Sequence, residues 1–388
     1  MTIVFLSNYL THHQIPFCEA MWEQTKHNFY FIATSPVAEE RVKLGWKFCD
    51  EHPYEICAYG SADAIIRGQM LSNNADIVII GSAPDFFIKP RLKEKKLTFR
   101  YSERFYKEGT PLKKFPRQFA LTWMHHGRFQ KYPVYLLCAS AYTAVDAARF
   151  GNYVNRCYQW GYFPETKQYT DLQQLLNQKN TSKILWCGRF LNWKHPEAAI
   201  EAVSRLRREG YTLELDFIGM GPMENNMRTM ITQYGMEDCI HLLGSMSPEQ
   251  VRLHMENAGI YLFTSDRQEG WGAVLNESMN SGCAVIANHA IGSVPFLIRD
   301  GKNGLIYADG NTDMLYEKIK FLLENPQEQS RLGMVAYETI TREWNARTAA
   351  ERFLQLSEQM LNGRVEAELF SHGPCSKAEI LLDNEILL

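Results

Sequence analysis

Two cations five residues apart follow an apolar run in the second half of the chain. Arg189 and Lys194 lie in the segment from Gly188 to Lys194, directly after the predicted strand Ile184–Cys187. A glycine after a strand permits a tight turn, and a guanidinium and an ammonium that converge can bind one diphosphate. The spacing alone is also typical of two charges on a solvated loop.

Two carboxylates eight residues apart follow another apolar run, the predicted strand Ile260–Thr264. Glu269 lies in the loop after that strand, and a predicted helix begins near Ala273 and carries Glu277. Backbone amides at a helix start favour anions, and carboxylates accept hydrogen bonds from the vicinal hydroxyls of a sugar or ribose. The alternative is a surface glutamate and an ion pair along a helix face.

These side chains need a scaffold, and short apolar runs that alternate with helical stretches predict one. Helices such as Ile15–Gln24 and Ala141–Phe150 separate the predicted strands. The strands are Ile3–Ser7, Phe29–Ala33, Ile77–Gly81, Leu97–Tyr101, Tyr135–Ala139, Ile184–Cys187, Leu215–Ile218, Ile240–Leu243, Ile260–Thr264, Ala284–Ala287 and the short Leu305–Tyr307. The pattern predicts an α/β protein with two parallel sheets covered on both faces, and ligands at the carboxyl ends of the strands.

The domain organisation follows from where this pattern restarts. We predict a first domain at residues 1–160, a hinge at 161–182 marked by Gly161 and Pro164, and a second domain at 183–345. Residues 346–362 are predicted to form a helix that packs back on the first domain. The tail at 363–388 has no pattern that predicts a role.

Composition narrows the function classes. With 388 residues, 45% hydrophobic and 22% charged, the chain is typical of a soluble two-domain protein. A formal net charge of −3 argues against a nucleic-acid binder. Nine scattered cysteines without a C-x-x-C pair predict reduced thiols, not a disulfide framework or zinc site. Without a signal segment or an apolar run of ~20 residues, we expect a cytoplasmic protein.

One local charge imbalance stands out. Residues 89–117 carry eleven basic residues against three glutamates, with interleaved aromatic residues. This pattern suits peripheral attachment to an anionic membrane on the inner face of the plasma membrane, where a lipid-linked acceptor would lie. A solvated basic face is the alternative that the sequence leaves open.

The motifs of the second half together resemble the retaining glycosyltransferases of family 4. They occur in the family's order: Gly188-Arg189 through Lys194, Gly219-Met220-Gly221-Pro222, Leu243-Gly244-Ser245-Met246, Glu269 through Glu277, and Gly292 through Gly304. The family has the GT-B fold, in which two Rossmann-like domains with parallel sheets face each other across a cleft. The first-half pattern resembles a bacterial branch that serves surface polysaccharides.

The resemblance implies a nucleotide-sugar donor and a role for each matched residue. Arg189 and Lys194 bind the donor diphosphate, Glu269 binds hydroxyls of the donor sugar, and Glu277 binds the ribose. Backbone amides around Gly272 and Ala273 contact the sugar or the distal phosphate. The implied donor site is completed by Gly188, Gly219, Gly244, Ser245, Gly270 and Trp271.

The acceptor half departs from the family, since it lacks a Gly-Gly pair in the loop Asn8–Gln14. His12 and His13 in that loop are candidate acceptor ligands, or members of a plain polar loop. Glu103 is the group predicted to orient or deprotonate the acceptor hydroxyl, with Ser102 and Arg104 beside it. The alternative is a Glu103–Arg104 surface pair.

The expected reaction needs no cofactor. Arg189, Lys194 and the helix amides would stabilise the departing nucleoside diphosphate, and the sequence contains no D-x-D motif, so we predict metal independence. A uridine diphosphate sugar is the expected donor, with a glycan or lipid-linked acceptor. A non-catalytic nucleotide-sugar binding module and a GT-B epimerase are the competing interpretations.

Overall fold

The computed structural model describes residues 1–37, 52–109, 111–364 and 368–381. The chain divides into two compact units. Unit 1 comprises Met1–Glu165 and Asn345–Leu381, and unit 2 comprises Thr166–Trp344.

Unit 1 is a parallel sheet with helices in the connections. Its strands are β1 (Ile3–Ser7), β2 (Phe29–Ala33), β3 (Glu55–Cys57), β4 (Ile77–Ile80), β5 (Thr98–Ser102), β6 (Val134–Cys138) and β7 (Cys157–Gln159). Its helices are α1 (Ile15–Gln24), α2 (Ala62–Asn74), α3 (Lys89–Lys93), α4 (Phe115–His125), α5 (Thr143–Ala148) and, after unit 2, α14 (Ala346–Leu361). The strand order is β3-β2-β1-β4-β5-β6-β7.

Unit 2 repeats this plan. Its strands are β8 (Asn180–Cys187), β9 (Glu214–Ile218), β10 (Ile240–Leu242), β11 (Ala258–Phe263), β12 (Ala284–Asn288) and β13 (Leu305–Tyr307). Its helices are α6 (Leu172–Gln178), α7 (Pro196–Arg208), α8 (Glu224–Tyr234), α9 (Pro248–Asn257), α10 (Val274–Asn280), α11 (Val294–Leu297), α12 (Thr312–Glu324) and α13 (Pro326–Arg342). The strand order is β10-β9-β8-β11-β12-β13.

The central strands form because their sequences are apolar on both faces. Every residue of β1, β4 and β11 is buried, as expected for parallel strands that have helices on both sides. In both sheets the second and third strands lie on one side of the first strand, and all later strands lie on its other side. The crossover lies between β1 and β4 in unit 1 and between β8 and β11 in unit 2, which is where open α/β sheets bind their ligands.

The prediction of two Rossmann-like α/β units, each built on a parallel sheet, is confirmed. The eleven predicted strands all occur, with ends that shift by one or two residues at most positions. β8 is the exception, because it begins four residues before the predicted start, at Asn180. The strands β3 and β7 were not predicted. Both contain three residues and lie at the two edges of the sheet in unit 1.

The end of the chain completes unit 1. The helix α14 packs on α1, and its buried Phe353 lies 5.0 Å from the ring of Phe99 and 5.7 Å from that of Trp160. Beyond it, Cys375 donates its backbone amide to Gln159, and the Gln159 amide donates to Ser376. Part of the tail that had no predicted role therefore forms an antiparallel bridge beside β7.

The expectation of nine free thiols is wrong at one described position. Cys57 is disulfide-bonded; it ends the edge strand β3 and is only partly buried, so its sulfur is not enclosed by the core. Cys49 lies outside the described residues. The free thiols are Cys18, Cys138, Cys157, Cys187, Cys239, Cys283 and Cys375.

Within the described residues, every helix is too short or too polar to cross a bilayer.

Candidate active site

The loop after β8 is fixed by close backbone contacts to the loop after β9. The amide of Gly188 donates to Ile218, and that of Phe190 donates to Met220. Gly219 has φ +141°, and a Cβ atom there would lie 1.9 Å from the carbonyl oxygen of Gly188. Only glycine allows this approach, so the Gly-x-Gly after β9 sets the position of the segment that carries Arg189 and Lys194.

Lys194 and Glu269 meet at the crossover of unit 2. The Lys194 Nζ donates to Glu269 Oε2 at 2.5 Å, and both side chains are largely buried. Ser265 Oγ donates to the same carboxylate oxygen at 3.0 Å. The ammonium also lies 4.7 Å from the ring centroid of Trp193. The two loops that flank the crossover therefore bring a cation and a carboxylate together, as their strand-end positions predict.

Main-chain contacts hold the same two loops in register. The amide of Asp266 donates to the carbonyl of Trp193 at 2.9 Å, and Thr264 Oγ1 donates to the carbonyl of Lys194 at 2.7 Å. Because Trp186 Nε1 donates to the Thr264 hydroxyl, the loops are tied to β8 as well. This preorganisation fixes the positions of Lys194 and Glu269.

Arg189 is placed differently from Lys194. It lies on the same loop, but its side chain is exposed and makes no hydrogen bond or ion pair within the described residues. The structure thus supplies one buried, paired cation and one cation whose charge is available to an anion.

The segment from Gly270 to Ala273 is anchored by Trp271. The indole is fully buried and donates to Asn276 Oδ1, while the Trp271 carbonyl accepts from Ser293 Oγ. Gly272 has φ +79°, and a Cβ there would lie 2.3 Å from the ring of Phe263. The Trp271 ring therefore acts as an internal anchor, and any ligand contact here would come from the backbone that leads into α10.

Glu277 lies in the first turn of α10. Burial raises the pKa of its carboxyl to about 7, and the nearby Arg252 opposes that rise. Arg252 Nη1 donates to the backbone oxygen of Glu277 at 3.1 Å and to Asn280 Oδ1 at 3.0 Å. Arg252 was not predicted as a site residue, because it lies on α9 with no motif around it.

His195 is a second residue that the sequence analysis missed. It has φ +48°, an uncommon conformation for a non-glycine residue, and it precedes α7. Its Nδ1 lies 2.8 Å from Glu197 Oε1, and its Nε2 lies 3.3 Å from Asp266 Oδ2. The hydrogen bond to Glu197 raises the pKa of His195 despite burial, and Asp266 adds to the effect. The ring bridges the two loops beside the Lys194–Glu269 pair.

The loop after β10 lies beside the loop after β9. Gly244 has φ +76°, and its carbonyl accepts from the Gly219 amide at 2.9 Å. Ser245 is exposed. Gly188, Gly219 and Gly244 thus form a backbone-lined edge at the carboxyl ends of three adjacent strands.

In unit 1, Tyr162 links two of the predicted acceptor residues. Its hydroxyl donates to Glu103 Oε1 at 2.8 Å, and its ring stacks near that of His13, with centroids 6.1 Å apart. His12 and His13 are adjacent, with ring centroids 3.7 Å apart. Tyr162 was predicted only as part of the hinge, and no spacing rule marks it as a partner of Glu103.

Glu103 and Arg104 point to different partners. Lys107 Nζ donates to Glu103 Oε2 at 2.5 Å, whereas the Arg104 guanidinium is buried, with its Nε 3.7 Å from Asp146 Oδ2 and its charge over the ring of Tyr142. The hydroxyl of Ser102 donates to the Glu103 carbonyl. Ser102 and Arg104 border a cavity of about 560 Å³ that Lys107, Lys114 and His125 also line.

His126 packs inside unit 1. Its ring stacks 4.2 Å from that of Phe105, and its Nδ1 lies 3.0 Å from the Tyr153 hydroxyl. Burial, with the nearby Arg100, lowers its pKa to about 3.

Several charges of the basic stretch are internal. Arg91 is fully buried and donates to four backbone carbonyls, including those of Ser72 and Leu97. Arg100 pairs with Asp85 at 2.5 Å. The count of eleven basic residues therefore overstates the charge that this segment offers to a partner.

The described residues contain no group of three or more His, Cys, Asp or Glu side chains placed to hold a metal ion.

Residues 168–339 match the family model of group 1 glycosyl transferases. The amylovoran biosynthesis glycosyltransferase of Erwinia amylovora is 26% identical over 183 residues, which are 46% of this chain and 45% of that protein. A putative colanic acid biosynthesis glycosyltransferase of Salmonella typhimurium is 29% identical over 35% of each chain. The matched segment thus covers less than half of the length of these relatives.

Solved structures extend the likeness to both units. A protein of Anabaena in complex with UDP has a TM-score of 0.68 and 13% identity, over 94% of this chain and all of the other. The apo form of a lipopolysaccharide outer core galactosyltransferase has a TM-score of 0.65 and 16% identity, with the same coverage. At these identities the likeness shows the fold alone, and this fold is the predicted GT-B class.

Proposed function

We propose that this protein transfers a sugar from a nucleoside diphosphate donor to a glycan or lipid-linked acceptor, because residues 168–339 match the family model of group 1 glycosyl transferases. The names of the two relatives support a role in bacterial surface polysaccharide synthesis. The complex of the Anabaena protein with UDP supports a uridine donor. We propose the cytoplasm as the location, at the inner face of the plasma membrane.

The contact between Lys194 and Glu269 at the crossover of unit 2 carries this proposal. Breaking the anomeric C–O bond leaves negative charge on the nucleoside diphosphate and positive charge on the sugar. Preorganised cations stabilise that anion as it develops, and Lys194 with Arg189 would supply them. Glu269 would accept hydrogen bonds from donor-sugar hydroxyls, because its carboxylate is held beside Lys194.

The acceptor is proposed to bind in unit 1. Glu103 is held by Tyr162 and Lys107, and the His13 ring stacks near that of Tyr162. In this arrangement Glu103 would orient the acceptor hydroxyl or take its proton. We propose retention of the anomeric configuration from the family resemblance, to be checked on the product by the proton coupling at its anomeric carbon.

The variant Glu269→Gln tests the donor site. Loss of the charge should lower nucleotide release in the presence of acceptor extract by roughly 10²-fold or more, since charge-assisted contacts to the reacting sugar are lost. The control is Glu338→Gln, which removes a half-exposed carboxylate that pairs with Arg342 in the same unit. Release is measured with uridine and guanosine diphosphate sugars.

The outcome also separates the competing functions. Acceptor-dependent release indicates a transferase, whereas donor binding without release indicates a binding module. Turnover of Glu269→Gln equal to that of Glu338→Gln would remove Glu269 from the site.

A further inference from the structure

Helix α4 presents large apolar side chains to solvent. Phe115, Phe119, Trp123 and Met124 are 46%, 48%, 57% and 42% exposed. Phe115, Phe119 and Trp123 are four residues apart in succession, so they lie along one stripe of the helix. Single exposed apolar residues are ordinary on protein surfaces, but a contiguous aromatic stripe marks an interaction surface.

The charge around α4 has a single sign in the sequence. No acidic residue occurs between Glu108 and Asp146, and five cations do. Lys114 pairs with Glu108 and Arg128 with Asp85. Lys113, Arg117 and Lys131 are exposed and make no ion pair within the described residues. The segment that carries the aromatic stripe therefore has three exposed cations without an ion pair among the described residues.

The contacts of α4 fix its orientation. The rings of Phe115 and Phe119 each lie 5.3 Å from that of Phe150. On the inner side, Thr122 Oγ1 lies 2.5 Å from the Tyr106 hydroxyl, and Gln118 Nε2 donates to the Gly109 carbonyl at 3.0 Å. These contacts hold the helix against the rest of unit 1, while about half of the surface of Phe115, Phe119 and Trp123 stays exposed.

We propose that α4, with Lys113, Arg117 and Lys131, docks on the surface of an anionic phospholipid bilayer. Aromatic side chains enter the region between head groups and acyl chains, and lysine and arginine bind the anionic head groups. Charge complementarity selects this occupant, because a surface with several unpaired cations attracts an anionic partner and repels a basic one.

The position of α4 gives the docking a consequence for the acceptor. The cavity of about 560 Å³ is lined by Leu121 and His125 of α4 and by Lys107, which bonds Glu103. A docked bilayer would bring lipid-linked acceptors next to this cavity. This consequence rests on the proposed function, whereas docking itself does not.

The test is co-sedimentation of the full chain with vesicles of phosphatidylcholine alone and with 30% phosphatidylglycerol. Binding is expected only to the anionic vesicles and should weaken as salt is raised, since screening reduces head-group attraction. Lys113→Glu with Arg117→Glu should lower the partition coefficient at least about tenfold. Phe119→Ser with Trp123→Ser should lower it to a similar degree, because the buried apolar area is lost.

The control is Ile66→Ser with Met70→Ser, which removes two exposed apolar residues at the same helical spacing on α2 of unit 1. It should bind as the parent does. Melting temperatures of all variants check that they are folded. If Phe119→Ser with Trp123→Ser lowers the melting temperature, the test of docking depends on the variant with Lys113→Glu and Arg117→Glu. No binding of the parent to anionic vesicles, or equal binding of the charge variant, overturns the proposal.

Activity with a water-soluble acceptor separates this inference from the proposed function. The α4 variants should retain it while losing vesicle binding. Loss of both in a folded variant would contradict docking as the role of α4, and absent activity in the parent would contradict the proposed function alone.

Discussion

The carboxyl of Glu277 and the imidazole of His195 show how burial and partners set the chemistry of single residues. Burial raises the pKa of Glu277 to about 7, whereas hydrogen bonds to carboxylates raise that of His195. Both residues lie beside the proposed donor site, and shifted pKa values are common at functional sites.

Glu277 predicts a pH-dependent stability. The ordinary pKa of this carboxyl is 4.5, and a group whose pKa is higher in the folded state stays protonated there after the unfolded chain has lost its proton. The free energy of unfolding therefore falls as pH rises from 4.5 to about 7, and the penalty is constant above. Glu277→Gln removes this titration and should gain up to about 3 kcal/mol relative to the parent across that range.

Denaturant unfolding at pH 5 and pH 8 measures the effect, followed by tryptophan fluorescence. Glu338→Gln serves as the half-exposed control and should track the parent at both pH values. Parallel pH profiles for Glu277→Gln and the parent would show that burial does not hold the proton on Glu277.

Part of the candidate site could be predicted from the sequence, because its residues lie in loops directly after predicted strands. Arg189, Lys194 and Glu269 follow buried strands, and parallel strands bring their carboxyl ends to one edge. His195, Arg252 and Tyr162 could not be predicted, because their importance depends on contacts with residues 25 or more positions away or on an unusual backbone angle.

At the scale of elements, the long buried strands could be predicted and the short edge strands could not. β1 and β4 are continuous apolar runs, whereas β3 and β7 have three residues each and no distinguishing pattern. The bridge from Cys375 and Ser376 to Gln159 uses backbone groups, which carry no side-chain signature.

The helix α14 yields a prediction at this scale. The Phe353 ring is fully buried against Phe99 and Trp160. Phe353→Ala should destabilise unit 1 by about 3–5 kcal/mol, because removal of the ring leaves a cavity. Binding of nucleotide to unit 2 should persist. Calorimetric melting with and without nucleotide measures both effects.

Leu361→Ala is the control, since this residue at the end of the same helix is 48% exposed. The free energy of unfolding of this variant should lie within about 0.5 kcal/mol of that of the parent. Equal melting of the two variants would show that α14 does not stabilise unit 1 through Phe353.

For the whole molecule, the proposed function gives different tasks to two units of similar strand order. Unit 2 carries the paired cation and carboxylate at its crossover, and unit 1 carries Glu103 with Tyr162. A similar topology can therefore serve donor and acceptor by changing only the loops that follow the strands.

Metal independence is the prediction for the whole enzyme. The proposed leaving group would be neutralised by Arg189 and Lys194, so the turnover rate should be unchanged in excess chelator and should not rise when manganese is added. Nucleotide release measured in parallel with and without chelator checks this. Abolition by chelator and rescue by manganese would contradict it.

The return of the chain to unit 1 has a consequence for synthesis on the ribosome. The chain leaves unit 1 at Glu165 and re-enters it at Asn345, so α14 is translated only after unit 2. Until then the nascent first unit lacks the helix that covers Phe99 and Trp160. Unit 2 can fold during elongation, whereas unit 1 cannot complete its core until α14 has been synthesised. Until then its exposed apolar surface can be bound by chaperones.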